Sequence, residues 1–202
     1  MFARLHHIAY RCRDAQRTVD FYTEVVGLKY VAGLMPPENT RLSWPLNEAG
    51  KPPRKVVDGA SDSIHIFFEL GDGSYLAFFD VPGGGDDSQD PTPWWVKHIA
   101  FEGSDMKSLL EAKARLEAHG VQVLGPKNHQ FCQSIYFMDP DGHRLEITIR
   151  TEEPDTWQQL AADAPKELRK WNELKQRKYG YKPSAGKTDI PAMPADSTIV
   201  PA

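Results

Sequence analysis

Apolar and polar residues alternate with period two in several short stretches, and two of those stretches are nearly the same. Residues 7–14 read HIAYRCRD and residues 98–105 read HIAFEGSD. His7-Ile8-Ala9-Tyr10 therefore falls on His98-Ile99-Ala100-Phe101, and Asp14 on Asp105, at an offset of 91 positions. Further along, LGDGSYLAF (70–78) falls on DPDGHRLEI (139–147), with Asp72-Gly73 on Asp141-Gly142 and Leu76 on Leu145, at an offset of 69. The surplus belongs to the first copy. We place it within residues 35–60, where Pro, Gly and charged residues dominate. A repeat of this length reads as a duplicated structural unit.

Each copy predicts the same order of elements. A strand opens it (Leu5–Arg11; Val96–Glu102). A helix follows, capped by Asp14 in one copy and Asp105 in the other, and closed by Gly27 or Gly120. Strands then return, at Ser63–Leu70 and Ser74–Val81 in the first copy and at Val121–Leu124, Ser134–Met138 and His143–Arg150 in the second. The two Asp-Gly pairs predict tight hairpins. The reading is β-α-β-β-β twice over, with one strand of the first copy unplaced. Residues 4–82 form module 1 and residues 94–150 module 2 of a single domain spanning 1–150. Residues 151–202 form a helical extension and a loose tail. In the extension Trp157, Leu160, Ala164, Leu168, Trp171 and Leu174 recur at helical spacing, and Pro165 is expected to split the run into two helices.

Composition narrows the function classes. Formal net charge is −4, which excludes a strongly basic nucleic-acid binder. No apolar run reaches the length of a membrane helix. The first residues do not read as a secretory signal. Two cysteines without CxxC spacing, Cys12 and Cys132, give no disulfide scaffold, and a reducing cytoplasm is the expected compartment. The expected partner is a small-molecule substrate, with no nucleic acid and no membrane. A homodimer is a further expectation, since the modules end in sheet edges.

Strand alternation sorts the candidate chemistry. Ile8 and Tyr10 share one face of the first strand and His7 the other; Ile99 and Phe101 stand opposite His98 in the same way. The apolar side should pack under the helices and leave the histidines on the other face. On the last strand Glu146 lies with Arg144 and Thr148, opposite Leu145 and Ile147. His6 is expected to point away from His7. Two imidazoles and one carboxylate leave coordination positions open, the pattern that non-haem Fe(II) oxygenases use; Mn and Zn also accept it. Phe78 and Trp94 are candidate walls of an aromatic pocket.

The stretches LHHIAYRCRDAQRTVDFYTEVVGL, KHIAF and SIYFMDPDGHRLEI, in this order, resemble the vicinal-oxygen-chelate superfamily. That superfamily holds glyoxalase I, extradiol dioxygenases, epimerases and bleomycin-resistance proteins. The resemblance implies an α+β fold in which two paired βαβββ modules form a cupped mixed sheet around a metal site. It implies His7, His98 and Glu146 as metal ligands, and Fe(II) as the metal. Glyoxalase I-like members carry a fourth ligand, a Glu, where the repeat puts Ala77; Glu69 falls on the preceding strand. The two-His, one-Glu set looks more like the extradiol dioxygenases, which cleave catechol-type rings chelated through vicinal oxygens. In that reading His129 moves protons or orients substrate, and Tyr136 donates a hydrogen bond to it. The other readings of the same fold are a glyoxalase- or epimerase-type lyase or isomerase, and a protein that sequesters a small molecule.

Overall fold

A computed structural model of the chain describes residues 4–35, 63–81 and 92–180. Residues 36–60 of the expected excursion, the stretch 83–91 and the tail from Pro183 lie outside them. The described chain runs β1 (His7–Cys12), α1 (Ala15–Asp20) with a π-helical continuation (Phe21–Val26), β2 (Lys29–Leu34), β3 (Ile64–Glu69), β4 (Tyr75–Asp80), β5 (Ile99–Glu102), α2 (Met106–Ala118), β6 (Leu124–Asn128), β7 (Cys132–Met138), β8 (Arg144–Arg150) and α3 (Thr156–Tyr179). The unplaced strand of module 1 is β2. Two exposed tyrosine and valine positions and an interior glycine gave it no alternating pattern to find.

The strands form two four-stranded sheets of one topology, β1-β4-β3-β2 and β5-β8-β7-β6. In each, the first and last strands of the unit pair in parallel and the others antiparallel. The duplication extends to register. Ile8, Ala9 and Tyr10 face Leu76, Ala77 and Phe78; Ile99, Ala100 and Phe101 face Leu145, Glu146 and Ile147. The hairpins match as well. Gly73 N donates to Leu70 O and Gly142 N to Asp139 O, and both glycines take positive φ (76° and 89°), which closes a tight turn at little steric cost. This is an α+β fold with a C-terminal helix.

Both helices are capped as their sequences predict. Asp14 accepts from Arg17 N, and Asp105 forms a reciprocal capping box with Ser108. Leu109, Ala112 and Leu116 of α2 are buried at helical spacing. The π-helical turn that follows α1 changes which residues point inward: Phe21, Tyr22 and Val26 are buried, while Val19 and Val25 are half-buried against the same core. That core is shared. Tyr22, Phe68, Leu76 and Phe78 of module 1 join Leu109, Leu116, Ile135 and Leu145 of module 2 in one apolar cluster.

Polar contacts lock the modules across this core. Tyr22 Oη donates to Asp139 Oδ2 at 2.9 Å, and Arg17 pairs with Asp141 at 2.6 Å. Arg115 donates to Val25 O and Val26 O, the carbonyls left without helical donors where the π-helical turn ends. Asp139 also accepts from His143 Nδ1 and from the backbone N–H groups of Asp141 and His143. Burial opposes its ionisation, but the hydrogen bond and charge of His143 outweigh that and hold its pKa below 3.8. Burial pushes the Cys12 thiol up to about 11, which makes it an inert packing group.

The extension departs from expectation. Pro165 does not split it: α3 runs unbroken from Thr156 to Tyr179. Pro165 removes one backbone donor, but α3 has no buried residue, and the carbonyl of Ala161 that loses its partner lies at an exposed position open to water. No described helix is long and apolar enough to cross a membrane.

Candidate metal centre

Sheet B, the sheet of module 2, buries Leu145 and Ile147 of β8 on its helix side. Its other face is open and carries Glu146. Ala100 and Tyr136 are its cross-strand neighbours. His98, the residue before β5, reaches it from the side: Nε2 lies 3.2 Å from Glu146 Oε2. His98 Nδ1 is 3.0 Å from the carbonyl of Val96. A carbonyl only accepts, so Nδ1 carries the hydrogen and Nε2 of the neutral ring presents a lone pair to a carboxylate oxygen. Glu146 is only 7% exposed. A cation or a second proton between the two groups removes the repulsion, and the Nδ1 contact orients the ring as such contacts do for metal-binding histidines.

Tyr136 and His129 extend this pair. Tyr136 Oη donates to Glu146 Oε1 at 3.3 Å and lies 2.7 Å from His129 Nε2. Burial, and then the charge of Glu146, raise the pKa of Tyr136 above 10.0, so its hydroxyl keeps its proton. His98, Glu146, Tyr136 and His129 are thus brought together as one polar cluster on the open face.

The open face of sheet A, the sheet of module 1, holds His7 in a different setting. His7 Nδ1 is 2.9 Å from His6 Nδ1, and its ring packs edge-on to His65 and Phe67. The place equivalent to Glu146 is Ala77, whose cross-strand neighbours are Ala9 and Phe67. Where Tyr136 stands in module 2, module 1 has Phe67. His65 stacks on Phe79 at 3.7 Å between ring centroids, and burial, then proximity to His7, lowers its pKa. His6 corrects the sequence expectation. Its ring lies beside His7 and Tyr75, because it precedes β1 and strand alternation does not govern it.

His98 and Glu146 fit a metal ion in donor chemistry and spacing. His7 stands on the other sheet, and among the described residues no three His, Cys, Asp or Glu side chains converge on one ion. One chain in this arrangement therefore offers two ligands of the expected set at one place. Two residues of this face were not singled out from sequence, Arg144, which stacks on Tyr136 and Trp94, and Val96 through its carbonyl. Arg144 was legible as a face-mate of Glu146, but its stacking partners come from two separate segments. Phe78 and Trp94 do not share a wall: Phe78 is buried in the core, and Trp94 is 62% exposed beside Arg144.

A duplicated β-α-β-β-β unit with a His–Glu pair on an open sheet face defines a vicinal-oxygen-chelate type of protein. Residues 4–147 match the sequence model of the Glyoxalase/Bleomycin resistance protein/Dioxygenase superfamily, and the chain belongs to that superfamily. It is 31% identical over 74 residues to biphenyl-2,3-diol 1,2-dioxygenase 3 of Rhodococcus globerulus, a span of 37% of this chain and 39% of that protein. It is 25% identical over 157 residues to lactoylglutathione lyase GLX1 of Arabidopsis thaliana, covering 78% of this chain and 48% of the relative. The chain thus spans less than half the length of these curated relatives. Among solved structures, a glyoxylase/bleomycin resistance protein/dioxygenase domain from Frankia sp. EAN1pec shares the fold, with a TM-score of 0.54 and 19% identity over 75% of this chain and 100% of that one.

Proposed function

We propose that this chain is a metal-dependent enzyme of the extradiol dioxygenase type, using Fe(II) to open a small catechol-like ring bound through its two vicinal oxygens. The observation that carries the reading is the contact of His98 Nε2 with Glu146 Oε2 at 3.2 Å, backed by Tyr136 and His129. Ala77 in place of a fourth carboxylate, and the likeness to a biphenyl-diol dioxygenase, support it further. Bound Fe(II) supplies a Lewis acid and a common template for the two reactants.

The chain's own residues do the rest. His98 and Glu146 hold two positions. The Tyr136 hydroxyl, kept protonated, donates to an oxygen on the open face. His129, in contact with that hydroxyl, accepts or returns a proton. His7 is the third ligand of this reading. Since it stands apart from the pair, we propose that two chains complete the centre, with His7 of the partner subunit joining His98 and Glu146. That makes the active form a homodimer.

A lyase or isomerase on the same scaffold is the second reading. The similarity to a lactoylglutathione lyase over most of the chain favours it. The deciding experiment loads the protein anaerobically with Fe(II), measures iron per chain, and follows oxygen uptake on a panel of catechols. Uptake with ring opening is expected. Full iron occupancy without uptake on any catechol removes the dioxygenase reading, and oxygen-independent turnover of a glutathione hemithioacetal would install the lyase in its place.

A further inference from the structure

Arg144 opens β8 two residues before Glu146, on the same open face. Its guanidinium lies 4.2 Å above the ring of Tyr136 and 5.3 Å from the ring of Trp94. Nη1 donates to the carbonyl of Trp95. Nε is shielded from solvent and has no hydrogen-bond partner. Among the described residues no carboxylate pairs with Arg144. Stacking covers the faces of a guanidinium and leaves its edge for acceptors lying in its plane. Here that edge is only partly used by the protein.

The guanidinium lines a groove of about 690 Å³ together with Trp94, Leu124, Tyr136, Met138 and Asp139. Most of this lining is apolar or aromatic. Asp139 does not compete for Arg144, since its oxygens accept from Tyr22, His143 and the backbone. Along a strand, Arg144 and Glu146 are roughly 7 Å apart, comparable to the length of a substituted aromatic ring. Tyr136 links the groove to the His98–Glu146 pair, which lies outside its lining: Arg144 covers the Tyr136 ring and Glu146 accepts from its hydroxyl.

We propose that Arg144 is a specificity-determining residue that binds a carboxylate carried by an aromatic substrate, while the ring lies along the groove toward His98 and Glu146. This names a substrate class for the function proposed above and rests on that reading for the position of the diol. The carboxylate accepts from the open edge of the guanidinium, a small turn of which frees Nε. The apolar wall holds the ring. A neutral ring gains only the second contribution.

The test uses full-length, metal-free protein, with catechol and 3,4-dihydroxyphenylacetate as probes, and binding read by calorimetry and tryptophan fluorescence. The carboxylated ring is expected to bind at least tenfold more tightly. Arg144→Met should abolish that preference and Arg144→Lys retain part of it. Rising salt should weaken binding of the carboxylated ring and leave the neutral ring unaffected. If Arg144→Met does not fold, the Lys variant and the salt series decide. Equal affinity for the two probes, no measurable binding of the carboxylated one, or a preference that survives in Arg144→Met overturns the proposal. A preserved preference without oxygen uptake removes the dioxygenase reading alone; uptake without the preference removes the carboxylate site alone.

Discussion

Ala77 and Glu146 occupy the same place in the two halves of this protein. Ala77 lies between Ala9 and Phe67 in sheet A, and Glu146 between Ala100 and Tyr136 in sheet B. The duplicated scaffold has therefore kept its geometry while its two open faces have diverged. One holds a carboxylate with a hydroxyl and imidazoles around it. The other holds a methyl group among aromatic rings.

Glu146→Gln tests the carboxylate with little change of volume. The amide keeps an acceptor for Tyr136 but lacks the charge that answers a cation. Iron per chain after anaerobic loading is expected to fall at least tenfold, with the thermal midpoint close to that of the parent. Retention of iron by this variant would remove Glu146 from the ligand set.

Sharing of the centre between chains makes a stoichiometric prediction. His7→Ala and Glu146→Gln proteins should each fail to hold iron alone. Unfolded together in equal amounts and refolded, they should recover about a quarter of the parental iron, because half the dimers are mixed and each mixed dimer has one intact site. Iron binding that is lost in both variants and does not return on mixing places all ligands within one chain.

Tyr22→Phe removes one hydroxyl from the junction of the modules. Asp139 keeps its bonds from His143 and the backbone, so the loss is a single buried hydrogen bond. The cost is expected to be about 1–2 kcal/mol by urea unfolding. In a double-mutant cycle with Asp139→Asn, the two changes should couple, since each removes one partner of the same contact.

Asp139 also predicts how stability depends on acid. Its folded pKa lies below the unfolded value of 3.8, so the folded state holds the ionised form more strongly. That contribution is complete above the unfolded pKa and disappears as pH falls through the folded one. Urea midpoints measured from pH 6 down to pH 2 should drop below about pH 4. Asp139→Asn should flatten that part of the decline. An unchanged acid limb in the variant assigns the decline to other carboxylates.

Much of this molecule is legible along its chain. The repeat, the Asp14 and Asp105 caps, the Asp-Gly turns and the separation of His7 from Ile8 are local patterns, set by strand alternation and by hydrogen bonds a few residues long. The strand register confirms the alignment of Ala77 with Glu146 that the repeat predicts. Local patterning failed where packing or solvation overrode it. The end of the first helix winds as a π-helix, β2 lacks an alternating signature, and Pro165 is accommodated within an exposed helix.

The amino-acid order by itself determined the duplicated β-α-β-β-β unit and the faces on which His7 and Glu146 stand, because both follow from the period of a strand and the chemistry of its turns. Which of those ligands meet was decided only in three dimensions. A shared apolar core, the Tyr22–Asp139 contact and the grip of Arg115 on the π-helical turn set one module against the other. Such contacts join residues about a hundred positions apart. No periodicity encodes them, and they leave His7 on a separate sheet, while the parallel pairing of β5 with β8 brings His98 to Glu146 within module 2.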